Sequence, residues 1–297
     1  MDQTLSISTE GGEFSAYVAT PSGLPAPVVV VLHEIFGVNE DIRQTCRELA
    51  GQGFIAVAPD LFWRQERGVD LNSWSDEEWK KGLALYTAYD RDVGVRDIVA
   101  TLSAARRLEG ANGKVAVIGF CLGGLMTFLT AARHQVDAAV AYHGGDTERY
   151  LDEAPAINAP LLMHLAEEDE FISKEAQAQI KAALASVANA TVYSYPGQNH
   201  AFARHTGHHY TRRLPRLRMG GRLPSWPSIS ACTGRPDRAR QSTRRPAVEA
   251  HIKEQFKASP VLAKRPRRLR TPHQPTSGKR PVPWVSWNRR AKSAPCA

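Results

Sequence analysis

From residue 28 the chain reads Val-Val-Val-Val-Leu-His, and from residue 54 Phe-Ile-Ala-Val-Ala-Pro. Uncharged runs of this length, rich in β-branched residues, predict strands covered on both faces. Residues 115–121, 138–142, 161–166 and 191–195 carry the same signal. Residues 4–8 and 14–19 flank Glu10-Gly11-Gly12, which predicts a hairpin. Between the runs the apolar period lengthens to that of a helix. Residues 41–52 put Ile42, Cys46, Leu49 and Ala50 on one face. Residues 76–108 read as two helices broken near 90–94, and 122–132 as an apolar helix. Ser173 can cap a helix running to about residue 187, with Glu175 in its first turn. Strands alternating with helices predict an α/β fold: a mostly parallel, doubly wound sheet with helices on both faces. In such sheets ligands bind beyond the C-terminal strand ends.

One junction stands out. The run from Val115 ends in Gly119-Phe120-Cys121-Leu122-Gly123 and resumes as helix. G-x-C-x-G between strand and helix is a nucleophile elbow with Cys in place of Ser. A turn this tight strains its central residue, and Cβ atoms two positions to either side would strike it. Three more chemically able residues fall at strand ends. Glu34 follows the first long strand, Asp169 follows 161–166, and His200 follows 191–195. Nucleophile, acid, histidine is the triad order of α/β-hydrolases. Against this stand plainer roles: Cys121 as a small core residue, Asp169 as one of a solvated acidic group with Glu167, Glu168 and Glu170, and His200 as a loop histidine. A buried Glu34 is harder to explain away, because an unpaired buried carboxylate is costly.

Charge divides the 297 residues. Residues 211–297 hold 22 Lys+Arg against 3 Asp+Glu, a net +19, leaving −11 for residues 1–210. The overall +8 is thus an acidic body with a basic tail. Four irregularly spaced cysteines, Cys46, Cys121, Cys232 and Cys296, argue against a disulfide framework or a zinc site. No apolar run spans a bilayer and the N-terminus lacks the pattern of a signal peptide, so a cytoplasmic protein with reduced thiols is expected. No motif asks for a metal, nucleotide or other cofactor.

Six segments together resemble the dienelactone hydrolase family of α/β-hydrolases: HEIFGVN (33–39), APDLFWRQ (58–65), GKVAVIGFCLGG (113–124), AYHGG (141–145), AEEDEFI (166–172) and YPGQNHAFAR (195–204). The resemblance covers about residues 5–210. It implies an α/β-hydrolase fold and hydrolysis of a lactone or carboxylic ester, above all carboxymethylenebutenolide. Cys121 would be the nucleophile, His200 the general base and acid, and Asp169 the group that orients it. Glu34 would contact the cysteine and help switch it to thiolate. The N–H groups of Ile35 and Leu122 would form the oxyanion hole, and Arg204, Phe36 and Tyr86 would bind substrate. The family holds a substrate carboxylate with two arginines. One matches Arg204; the other falls at Trp79, beside Lys80 and Lys81, and Leu83 stands where an aromatic hydroxyl is expected, with Tyr86 nearby. A lysine could supply charge there but not a bidentate fork. The expected protein is a monomer acting on a small molecule, with no specific nucleic-acid partner and no membrane. The alternatives are a carboxylesterase of different range, or an inactive binding protein that uses its tail.

That tail does not continue the fold. Twelve of the 19 prolines lie in 211–297, and no helical or strand period survives. Basic charge alone predicts only non-specific nucleic-acid binding. Arg-, Pro- and Ser-rich text also arises when a GC-rich gene is read out of frame. Residues 211–218 admit codons that, shifted by two bases, read Ala-Ala-Ala-Ala-Ala-Ala-Ser, the start of an amphipathic closing helix. A chain without that helix is expected to be poorly soluble or weakly active.

Overall fold

The structure, a computed structural model, describes residues 2–205. Eight strands form one sheet: β1 (Asp2–Thr9), β2 (Gly12–Ala19), β3 (Ala26–Leu32), β4 (Ile55–Pro59), β5 (Ala111–Phe120), β6 (Ala138–Tyr142), β7 (Leu161–Ala166) and β8 (Ala190–Tyr195). Their order across the sheet is β1-β2-β4-β3-β5-β6-β7-β8. The β1–β2 hairpin and its junction with β4 are antiparallel; every pairing from β4–β3 to β7–β8 is parallel. This is the mostly parallel, doubly wound sheet expected from the alternating runs, in the α/β-hydrolase arrangement that the family resemblance implied.

Five helices connect the strands: α1 (Glu40–Gly51), α2 (Asp76–Ala88), α3 (Arg91–Arg106), α4 (Leu122–Arg133) and α5 (Lys174–Leu184). Their starts are set by short polar side chains. Asn39 accepts from the Ile42 N–H, Ser75 from that of Glu78, and Ser173 from that of Ala176. The break expected near 90–94 lies at Tyr89–Asp90, where Asp90 caps α3 by accepting from the Asp92 and Val93 N–H groups. Helix α5 stops at Leu184 rather than 187, because the Val187 N–H turns back to the Leu184 carbonyl and its side chain is buried. A kinked 3₁₀ segment, Thr147–Ala156, was not foreseen; it buries only Thr147 and Ala154 and contains Pro155, so its sequence has no helical stripe.

Alternation along β3 divides the core. Val28, Val30 and Leu32 pack with residues of α3, α4 and α5; Val29 and Val31 pack with Ile42, Cys46 and Leu49 of α1. Helix α4 is buried from Leu122 to Ala131, which matches its uniformly apolar text. One polar hub lies deep beside the hairpin. Asp97 of α3 accepts from Trp63 Nε1, from Arg64 Nε and Nη2, each at 2.8 Å, and from Thr9 Oγ1 at 3.1 Å. Among the described residues no helix is long and apolar enough to cross a membrane. The basic tail and the closing-helix position lie outside the described residues.

Candidate active site

Strand β5 runs parallel to β3 and delivers Cys121 to the C-terminal edge of the sheet. Cys121 has φ 52° and ψ −115°, a left-handed conformation that costs a side-chain-bearing residue about 1–3 kcal/mol. The flanking glycines permit it. A Cβ on Gly119 would lie 2.0 Å from the Gly123 carbonyl oxygen, and one on Gly123 would lie 2.2 Å from that of Leu32. The Gly123 N–H donates to the His33 carbonyl at 3.1 Å and locks the start of α4 against the end of β3. Leu32 pairs with Gly119 in register, so Ile35 and Leu122, which follow the two strands, lie at the same edge of the sheet. Leu122 is the first residue of α4, where N–H groups lack an intrahelical acceptor. Helix α2 closes over this corner: a Cβ on Gly82 would stand 2.8 Å from the Ile35 carbonyl oxygen.

His200 comes from the turns after β8, and its Nδ1 lies 3.0 and 2.9 Å from the two oxygens of Asp169. Asp169 is fixed in turn, since its Oδ1 accepts from the Phe171 and Ile172 N–H groups at 2.9 and 3.1 Å. Of the four neighbouring carboxylates Asp169 is the one on the histidine; Glu168 pairs with Lys174 at the surface. The Cys121 sulfur and the Asp169 carboxylate both act on the charge of His200. Burial alone would lower its pKa, but the sulfur and then the Asp169 carboxylate raise it to about 10. Both neighbours thus favour the charged form of His200.

Below this pair lies His143, fully buried, with φ 36° and its ring centroid 4.5 Å from that of His200. Its Nδ1 accepts the Cys121 N–H at 3.2 Å, while burial and then the charges of His200 and Arg204 hold its pKa well below the ordinary value. A neutral imidazole thus supports the elbow. From the sequence His143, in its AYHGG motif, is expected to be a structural or supporting histidine, as are His33 and His205; its contact with the nucleophile's backbone had no signal in spacing.

Glu34 Oε2 accepts from Arg204 Nε at 2.7 Å and Nη2 at 2.6 Å, and both side chains are buried. Glu34 is thus bound to the arginine, where the resemblance implied a contact with the thiol. Arg204 Nη1 is buried with no protein partner among the described residues. The guanidinium lies 5.1 Å from the Phe36 ring centre. Tyr86 is on the far flank, with its hydroxyl donating to Asp146 and Arg91 over its ring at 4.7 Å. Burial, then Asp146, pushes its pKa well up, so it stays protonated. The structure thus gathers Cys121, Asp169, His200, Glu34, Ile35, Leu122, Arg204, Phe36 and Tyr86 at one end of the sheet.

Residues 14–214 match the model of the dienelactone hydrolase family. The chain is 42% identical over 212 residues to a provisionally named carboxymethylenebutenolidase of Azospirillum brasilense, covering 71% of this chain and 91% of that protein. It is 36% identical over 216 residues to the carboxymethylenebutenolidase of Pseudomonas putida, covering 73% and 92%. A crystal structure of a provisionally named dienelactone hydrolase from Klebsiella pneumoniae superposes with a TM-score of 0.60 at 32% identity, covering 68% of this chain and 88% of that one. The chain belongs to the dienelactone hydrolase family, hydrolases that act on lactone or ester bonds.

Proposed function

We propose that the chain cleaves a lactone or carboxylic ester with a stabilised leaving group, of the dienelactone type, through a thioester on Cys121. One observation carries this: a cysteine strained at a strand-to-helix elbow, at the same edge of the sheet as a buried histidine that is itself held by Asp169. The thiolate sulfur adds to the carbonyl carbon. The carbonyl oxygen takes the negative charge and accepts from the N–H groups of Leu122 and Ile35. As the C–O bond breaks, the His200 imidazolium gives its proton to the leaving oxygen. Neutral His200 then takes a proton from water, whose hydroxide adds to the thioester. The C–S bond breaks, the thiolate and imidazolium are restored, and a carboxylic acid departs. Asp169 holds the histidine tautomer throughout. These steps use only the chain's own groups and water.

A substrate carboxylate reaching Arg204 must compete with Glu34 for the guanidinium. Binding would release Glu34 toward the nucleophile and so couple substrate arrival to the charge at the thiol. The catalytic domain is taken as residues 1–210, acting as a cytoplasmic monomer on small molecules; the family match, which ends at residue 214, supports excluding the basic tail. The test is turnover of a dienelactone and of an aryl ester by the full chain and by Cys121→Ala. Loss of about a thousandfold or more in the variant is expected; undiminished turnover would overturn the assignment.

A further inference from the structure

His33 follows the last residue of β3 and is fully buried, yet the steps proposed above make no use of it. Its ring is held at both nitrogens. Nε2 accepts the Leu61 N–H at 3.0 Å. The proton of the neutral ring is therefore on Nδ1, which lies 2.6 Å from the Glu34 carbonyl oxygen and donates to it. Burial, opposed by that carbonyl, holds the His33 pKa at about 4, so near neutral pH the ring is uncharged and keeps this tautomer. Phe62 packs against it, with ring centroids 5.0 Å apart.

The Glu34 carbonyl and the Ile35 N–H belong to one peptide unit. Such a unit is planar and trans, so its C=O and N–H point in opposite directions. A donor fixed on the carbonyl therefore fixes the direction of the N–H, and polarises the amide so that this N–H donates more strongly. The backbone of His33 acts on the second proposed donor. Its carbonyl accepts the Gly123 N–H at 3.1 Å, and Gly123 follows Leu122 at the start of α4. One residue thus reaches both N–H groups that the mechanism offers to the carbonyl oxygen: Ile35 through its ring, and the Leu122 end of α4 through its main chain.

We infer that His33 is a positioning residue for the oxyanion hole, whose imidazole aims the Ile35 N–H by holding the Glu34 carbonyl. It acts through the backbone rather than on the substrate. A buried histidine that only filled space would need neither a fixed tautomer nor a bond to this one peptide. The inference deepens the proposed hydrolase function and rests on it for the identity of the oxyanion donors.

The experiment compares the full chain with His33→Leu, which removes both ring contacts, and His33→Gln, whose amide offers one donor and one acceptor. On phenyl acetate His33→Leu is expected to lose about 100-fold in kcat with KM within about twofold, and His33→Gln to recover most of that loss. The thiono analogue of the ester carries a sulfur that accepts hydrogen bonds weakly. It should lose less, so the oxygen-to-sulfur rate ratio falls about tenfold in His33→Leu. Alkylation of Cys121 by iodoacetamide builds no oxyanion and should run at equal rates in all three chains. Equal losses on the two esters, no loss, or slowed alkylation in a folded His33→Leu overturns the inference. A further measurement needs neither turnover nor a variant: the ring ¹⁵N shifts of His33 in the full chain should show Nδ1 protonated and Nε2 bare. The opposite tautomer overturns the inference even if His33→Leu does not fold. If neither ester turns over, the hydrolase proposal fails alone; the expected tautomer, with Ile35 amide exchange faster in His33→Leu than in His33→Gln, then still supports the positioning of that peptide, and equal exchange counts against it.

Discussion

Arg204 donates both Nε and Nη2 to a single oxygen of Glu34, a residue 170 positions earlier in the chain. This pair ties the turns that carry His200 to the end of β3, next to the elbow. Removing the cation strands a buried carboxylate. Arg204→Ala is expected to cost about 3–5 kcal/mol in urea unfolding, and Arg204→Ala/Glu34→Gln to recover much of it. Equal losses in the single and double variants would show that the pair is not coupled.

Asp169 grips His200 Nδ1 with both oxygens. Asp169→Asn is expected to lower kcat by about 10²–10⁴-fold, because the amide can present its N–H to the ring and stabilise the wrong tautomer. The folded-state pKa of His200 is raised from 6.5 to about 10, against burial, by the sulfur and the carboxylate. Stability linked to the imidazolium is then full below the unfolded value and lost as pH rises toward 10. In Asp169→Asn the loss of activity on the alkaline side should begin at lower pH. An unchanged alkaline limb in the pH–rate profile would contradict the assignment.

A second histidine makes a similar prediction for stability. His205 lies between two carboxylates of α1, with Nδ1 3.0 Å from Asp41 Oδ1 and Nε2 3.2 Å from Glu48 Oε2, and its own N–H donates to Asp41. Burial lowers its pKa, but Asp41 and Glu48 outweigh that and raise it to about 10. This clamp therefore holds fully below 6.5 and is released as pH climbs toward 10. His205→Gln should lower Tm near neutral pH and flatten its fall between pH 7 and about 10. Parallel Tm curves for the two chains would refute the clamp.

The elbow tolerates no side chain at Gly123, where a Cβ would sit 2.2 Å from backbone oxygen. Gly123→Ala should abolish activity and cost about 3 kcal/mol or more, since backbone on both sides must move. Circular dichroism melting with an ester assay checks both effects.

Why some of this was legible and some was not has physical grounds. Buried parallel strands write themselves as apolar runs, so β3 to β7 could be read directly, while the edge strand β8 is only partly buried; the break between α2 and α3 fell at the near end of the expected 90–94. Cys121, Asp169 and His200 stood out because each follows such a run. The 3₁₀ segment at Thr147–Ala156 was hidden because it buries only two side chains. The stacking of Trp79 on Phe171 was hidden for a different reason: the two are 92 positions apart and meet only through the fold. The same holds for Glu34 and Arg204, whose pairing no local pattern announces.

The basic segment 211–297 is a question for the gene. If a frame disruption lies near codon 210, restoring the shifted frame should return a closing helix and raise soluble yield and activity. An undisrupted gene, with equal solubility when the tail is exchanged, would count against that origin.

The central claim is a covalent intermediate on Cys121. The measurement is intact-protein and peptide mass spectrometry of the full chain, acid-quenched within its first turnovers of an aryl acetate. An acetyl group on the peptide containing Cys121, absent in Cys121→Ala and longer-lived in Asp169→Asn, is the predicted result. Turnover with no adduct on that peptide, at an equal rate in Cys121→Ala, would contradict it.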